Sequence, residues 1–205
     1  MERLSKPIQE RSDVYDVIVV GSGYGGAIAA SRLARAGKRV CVLGRGEERQ
    51  PGEYPNTLPE MLDDLQVDTP EGHFGRRTAM FDLRKNADQN ALIGCGLGGS
   101  SLINANLALK AEDRVFDDPS WPQALRDDRA GLEQGYDRAL AMLAPMPYPE
   151  TSPPLPKLQA LEDQARGVNG ARFYRPPINV TFEDGVNAAG VEQKACTLCG
   201  DCVSG

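Results

Sequence analysis

Hydrophobic and polar positions along the first 45 residues predict a strand, a helix and a second strand. Residues 15–20 (Tyr-Asp-Val-Ile-Val-Val) form a β-branched apolar run closed by Gly21, the pattern of a buried parallel strand. From residue 25 to 36 the chain is alanine-rich with apolar positions at helical spacing, and Gly37 stops it. Residues 39–43 (Arg-Val-Cys-Val-Leu) make a second short strand. Strand, glycine turn, helix and strand in a stretch of about 30 residues make a βαβ unit, hence an α/β fold with a right-handed crossover.

Beyond that unit the pattern loosens. Residues 46–75 are rich in Pro, Gly, Glu and Asp and read as a long excursion with little core. Residues 92–109 return to apolar, glycine-rich sequence, and turn signals crowd around Asp117-Asp-Pro-Ser-Trp-Pro122. Leu132, Tyr136, Ala139, Leu140 and Leu143 then share one helical face. Residues 145–156 are proline-rich, so a linker or extended loop is expected, followed by a short helix through Leu158, Leu161 and Ala165. Residues 171–182 suggest a strand interrupted by Pro176-Pro177, hence an edge strand or a bulge.

Composition narrows the function classes. A net charge of −6 and a pI near 4.9 give no basic footprint for nucleic acid. No stretch is apolar enough to span a bilayer, and residues 1–13 lack a signal peptide's apolar core, so a cytoplasmic location is expected. His73 is the single histidine and lies between glycines in a polar stretch where exposure is expected, which leaves little acid–base chemistry.

Gly21-Ser22-Gly23-Tyr24-Gly25-Gly26 matches G-x-G-x-x-G where a strand ends and a helix begins. Gly21 permits a tight turn, Gly23 opens the backbone to a pyrophosphate, and Gly26 lets helix and strand approach. The alternative, a glycine turn without a ligand, leaves that flanking pattern unexplained. The acid expected near the end of the second strand is replaced by Gly44, followed by Arg45. An arginine there accommodates a 2′-phosphate, which keeps an NADP-binding reductase as an alternative, unless Glu47 or Glu48 reaches back. A second glycine motif, Gly94-Cys-Gly-Leu-Gly-Gly-Ser-Ser-Leu-Ile-Asn-Ala-Asn106, offers a flat backbone surface edged by hydroxyls and amides.

With these two motifs the chain resembles the glucose–methanol–choline (GMC) oxidoreductase family, in particular its cholesterol-oxidase-like branch. Gly94, Gly98, Gly99, Ser101 and Asn104 fill the family's flavin-side segment, while residues 50–55 and 115–122 are similar to flanking family segments. The family usually has Glu where Gly44 stands. The resemblance implies FAD, bound through Gly21, Ser22, Gly23, Gly25, Gly26, Gly94, Gly98, Gly99, Ser101 and Asn104. It implies a discontinuous Rossmann-like FAD-binding domain over residues 1–115, with a cover excursion at 46–91. Residues 116–205 then form a helical and extended segment leading into a substrate domain. The implied reaction is oxidation of an alcohol or sterol CH–OH group by hydride transfer to flavin, with an unspecified electron acceptor. The family's catalytic histidine falls outside this sequence, so no catalytic residue is assigned. An N-terminal part of such an enzyme, inactive by itself, is the expectation.

Cys196, Cys199 and Cys202 form a C-x₂-C-x₂-C run close to residue 205. The spacing is that of three ligands of a ferredoxin-type run, and the sequence stops where a fourth cysteine is expected, a second sign of truncation. An iron–sulfur cluster in a longer protein, zinc, and a thiol-rich structural turn all fit, and an electron-transfer module built on these thiols is a further alternative. Cys41 reads as a small core residue.

Overall fold

A computed structural model of the chain describes residues 3–200. These residues divide into two compact units, residues 3–106 with 198–200, and residues 107–197.

In the first unit, β1 (Val17–Val20) and β2 (Val40–Leu43) pair in parallel, Val17 opposite Val40 and Val20 opposite Leu43, with α1 (Tyr24–Arg35) as the crossover. The strands start just after an ion pair. Asp16 accepts from the Arg39 backbone at 2.8 Å and from its guanidinium at 3.0 Å, which fixes their register. The helix packs against the Val17–Val19 side, where the Gly26 position lies 3.3 Å from a Val19 methyl. On the opposite side Ile18 and Val20 are 60% and 84% exposed. Parallel sheets ordinarily bury both faces.

Residues 46–94 are far more ordered than their composition suggests. Helix α2 (Leu58–Asp63) starts at a capping box, in which Thr57 and Glu60 satisfy each other's backbone N–H groups. A four-stranded sheet follows, ordered β4 (Gly72–Phe74), β3 (Leu65–Thr69), β5 (Phe81–Arg84), β6 (Ala91–Gly94). The central pair β3–β5 is parallel and its neighbours are antiparallel. The excursion read over residues 46–75 thus carries regular structure, while the buried apolar side chains Ala79, Met80 and Cys95 lie just beyond it. Ala79, Met80, Cys95, Asp64, Gln66 and Asp82 are all buried in or beside this sheet. The period-2 alternation was present, but the inward set of β3 and β5 includes Gln66 and Asp82, which pattern alone assigns to solvent.

The second unit is helical: α3 (Asp113–Phe116), α4 (Gln123–Asp127), α5 (Arg129–Leu143) and α6 (Pro156–Gly167), then a small hairpin of β7 (Gly185–Val186) and β8 (Glu192–Gln193). Its buried centre is Phe116, with Trp121 and Tyr136 rings 5.6 and 6.3 Å away. Asp128 caps α5 by accepting from Gly131 N–H at 2.9 Å. The strand expected over residues 171–182 does not form. Pro176 and Pro177 lack N–H donors, and only Ile178 makes bridges, to Leu107 and Met146.

Candidate functional site: two joined glycine turns

The first glycine turn is built by close approach. A Cβ on Gly26 would lie 2.0 Å from the Gly21 carbonyl oxygen, so only glycine allows α1 to start where it does. Around Gly23 and Gly25 there is no atom within 4 Å of a Cβ position, so that side of the turn is open. The N-cap of α1 is Gly23, and no side chain caps it. The N–H groups of the first turn consequently keep their donor capacity and the positive end of the helix dipole.

The second turn leaves β6 at Gly94 and runs into a short 3₁₀ helix, Gly99–Leu102. Gly99 holds φ +63°, and a Cβ there would sit 2.8 Å from the Gly23 Cα. The two turns thus touch backbone to backbone. Ser22 joins them: its hydroxyl accepts from Gly98 N–H at 3.0 Å and donates to the Gly96 carbonyl at 3.3 Å. Glu47 bridges to the same strand-like segment, accepting from Leu97 N–H at 3.0 Å.

Most polar side chains expected to edge this surface are used to shape it. Ser100 accepts from Gly94 N–H at 3.1 Å, and Ser101 donates to the Gly98 carbonyl at 2.9 Å. The Asn104 amide is engaged at both ends: its oxygen accepts from Asn106 N–H at 2.9 Å, and its nitrogen donates to the Tyr24 hydroxyl. Ala105 and Asn106 both carry positive φ, 55° and 56°, a conformation that costs a non-glycine residue roughly 1 kcal/mol or more. Such a surface presents backbone to a ligand. It suits a planar ring or a phosphate, and offers no acid or base of its own.

Sequence reasoning named Ser22 only as part of a motif and missed its role as the link. It also missed the charged cluster beside the site. Arg45, just past β2, donates to Gln66 Oε1 at 3.0 Å and to Asp82 Oδ2 at 2.6 Å. Asp82 also holds Arg84 at 3.0 Å and raises that guanidinium's pKa further. The fully buried Asp82 keeps one oxygen, Oδ1, without a partner. Glu48 does not reach back from its position after β2. It accepts from Ser5 and Leu4 N–H groups at 2.7 and 3.1 Å, which hold its pKa below the usual carboxylate range.

His73 is more covered than expected, with a side chain 13% exposed. Its Nδ1 lies 2.8 Å from Asp68 and its Nε2 3.1 Å from the Gly75 carbonyl, because β4 folds it back onto β3. Cys41 is half-buried in β2, and Cys95 is buried with its thiol 3.7 Å from the Arg77 carbonyl. Of the C-terminal cysteines, Cys196 donates its N–H to the Thr181 carbonyl at 2.9 Å, Cys199 is exposed, and Cys202 lies outside the described residues. Among the described residues, no group of three or more His, Cys, Asp or Glu is placed to hold a metal ion. No helix among them is long and apolar enough to cross a membrane.

Comparison with known proteins agrees with this geometry. Residues 16–51, which span β1, α1 and β2, match the FAD binding domain family. A cholesterol oxidase of Mycobacterium tuberculosis is 27% identical over 93% of this chain and 34% of its own length. A cholesterol oxidase of Acinetobacter baumannii is 24% identical over 93% of the chain and 35% of its own length. A long-chain-alcohol oxidase of Arabidopsis thaliana is 30% identical over 61% of the chain and 15% of its own length. The resemblance carried by the two glycine motifs thus extends over nearly the whole chain, and the matched βαβ unit is an FAD-binding one. The chain spans about a third of the length of the cholesterol oxidases it matches.

Proposed function

We propose that the joined glycine turns hold FAD and that the chain works as the N-terminal part of an FAD-dependent oxidoreductase acting on an alcohol or sterol CH–OH group. The observation that carries this reading is the Ser22 link, which brings the open, uncapped start of α1 against the backbone of residues 94–99. A pyrophosphate fits the first turn, where Gly23 and Gly25 leave space and the helix offers unpaired donors. A flat ring system fits the second, whose hydroxyls and amides are folded inward.

In this reading Gly21, Ser22, Gly23, Gly25 and Gly26 hold the phosphates. Gly94, Gly98, Gly99, Ser101 and Asn104 shape the surface against the ring. Bound FAD supplies hydride acceptance, while the protein binds, orients and excludes water. Residues 1–115 carry the FAD-binding domain, with 46–91 as cover, and residues 116–205 lead towards a substrate domain. The domain is discontinuous: the exposed face at Ile18 and Val20 supports a further layer supplied by chain outside these 205 residues. The cholesterol and long-chain-alcohol oxidases among the relatives support the substrate class.

The test is anaerobic reduction. A polypeptide of the relatives' length containing this chain should purify with yellow flavin that bleaches on adding cholesterol or a long-chain alcohol. Flavin that binds but is bleached by neither would remove the substrate assignment. A colourless protein that takes up no FAD would remove the whole reading.

A further inference from the structure

At the end of β2, where ribose-binding βαβ units usually carry an acid, this chain has Gly44 and then Arg45. A free arginine there attracts a 2′-phosphate. Arg45 is not free. Its two terminal nitrogens reach Gln66 Oε1 at 3.0 Å and Asp82 Oδ2 at 2.6 Å, a two-point, charge-assisted grip. The acceptors are rigid. Gln66 and Asp82 are direct partners on the two central strands, and both are fully buried. The Gln66 amide cannot turn over, because its nitrogen donates to the Ala79 carbonyl at 2.6 Å and the Arg77 carbonyl at 3.3 Å. Its oxygen is therefore committed to Arg45.

We propose that Gln66 and Asp82 withhold Arg45 from the nucleotide, so that the site selects an adenosine ribose with a free 2′-hydroxyl over one carrying a 2′-phosphate. The inference rests on the FAD reading above and adds a specificity device to it. A 2′-phosphate could recruit Arg45 only by stripping it from a buried carboxylate. Asp82 would then keep Arg84 alone, and its Oδ1 already lacks a partner. Uncovering a buried charge is costly, so the internal anion holds the arginine against an external one. The arginine side chain is 41% exposed, so it remains reachable once the grip is loosened.

The test compares 5′-ADP with 2′,5′-ADP by calorimetric titration of the full chain. Wild-type protein should bind 5′-ADP more tightly. Asp82→Asn keeps the shape of the side chain and removes its charge. It should shift the ratio towards 2′,5′-ADP by about tenfold or more, and Arg45→Ala added to it should cancel the shift. An unchanged ratio in folded Asp82→Asn protein overturns the proposal. If that variant does not fold, Arg45→Ala alone decides: the proposal expects the wild-type ratio to stand, and a specific loss of 2′,5′-ADP binding overturns it. Wild-type protein that binds neither nucleotide overturns the FAD reading first, and this inference with it.

Discussion

The β1–α1–β2 unit and the β3–β6 sheet lie in the same half of the chain and are built on opposite plans. The first contains no fully buried side chain, and Ile18, Val20, Ile28 and Val42 are all substantially exposed. The second buries Met80, Gln66 and Asp82 completely, with four arginines (Arg45, Arg49, Arg76 and Arg84) against its acids. One region is organised by close backbone approach around glycines and leaves its apolar face open. The other is organised by side chains, polar ones included. On the proposed reading the difference separates two tasks: the first region receives a ligand and a packing layer, and the second holds it in place.

The comparison breaks most easily at the cores. Met80→Ala should destabilise the chain by about 2–5 kcal/mol in urea unfolding, as expected for a fully buried methionine. Val20→Ala, on the open face, should change stability by less than about 0.5 kcal/mol. Equal costs at the two positions would mean that the open face is covered in solution, and the contrast would fail.

Two glycines sharpen the ligand side. Gly26→Ala forces a methyl into the Gly21 carbonyl and should cost about 1–3 kcal/mol together with FAD binding. Gly23→Ala meets nothing in the free protein, so stability should fall by no more than the roughly 1 kcal/mol that alanine costs at an N-cap. Its methyl would instead occupy the space assigned to the pyrophosphate and weaken FAD binding by roughly tenfold to a hundredfold. Gly23→Ala protein that binds FAD normally would put the phosphates elsewhere.

Smaller effects test the second region. Thr57→Ala removes one half of the α2 capping box and should cost about 1 kcal/mol in urea unfolding. Asp68 has a pKa lowered chiefly by its hydrogen bond with His73. A depressed carboxylate stabilises the fold above its unfolded value of about 4 and loses that contribution as pH falls through the folded value. The urea midpoint should therefore fall on acidification below about pH 4, and less steeply in Asp68→Asn. Identical acid limbs in the two proteins would remove the His73–Asp68 contact from the account.

The βαβ unit was legible because its signals are local. A β-branched run, glycines at fixed offsets and an alanine-rich helix need no distant partner to be read, and β1, α1 and β2 lie within two residues of expectation. The sheet of residues 65–94 was not legible, since Gln66 and Asp82 face inward only with Arg45, 21 and 37 residues earlier in sequence, donating to the amide and neutralising the carboxylate. The same holds for Ser22. Its place in the glycine motif was plain, but its bonds to Gly96 and Gly98 depend on a contact that no spacing rule encodes. Residues 171–182 failed for a local reason that was visible and underweighted: two prolines leave too few donors for a ladder.

The central claim is that two separately encoded glycine turns make one FAD surface. Fluorescence titration with FAD of a flavin-free polypeptide of the relatives' length that contains this chain, repeated on Ser22→Ala, tests it most directly. Wild-type protein should bind one FAD per chain saturably, and binding should be clearly weaker once the hydroxyl that joins Gly96 and Gly98 to the first turn is gone. Absence of saturable binding to wild-type protein, or equal affinity in the variant, would contradict it.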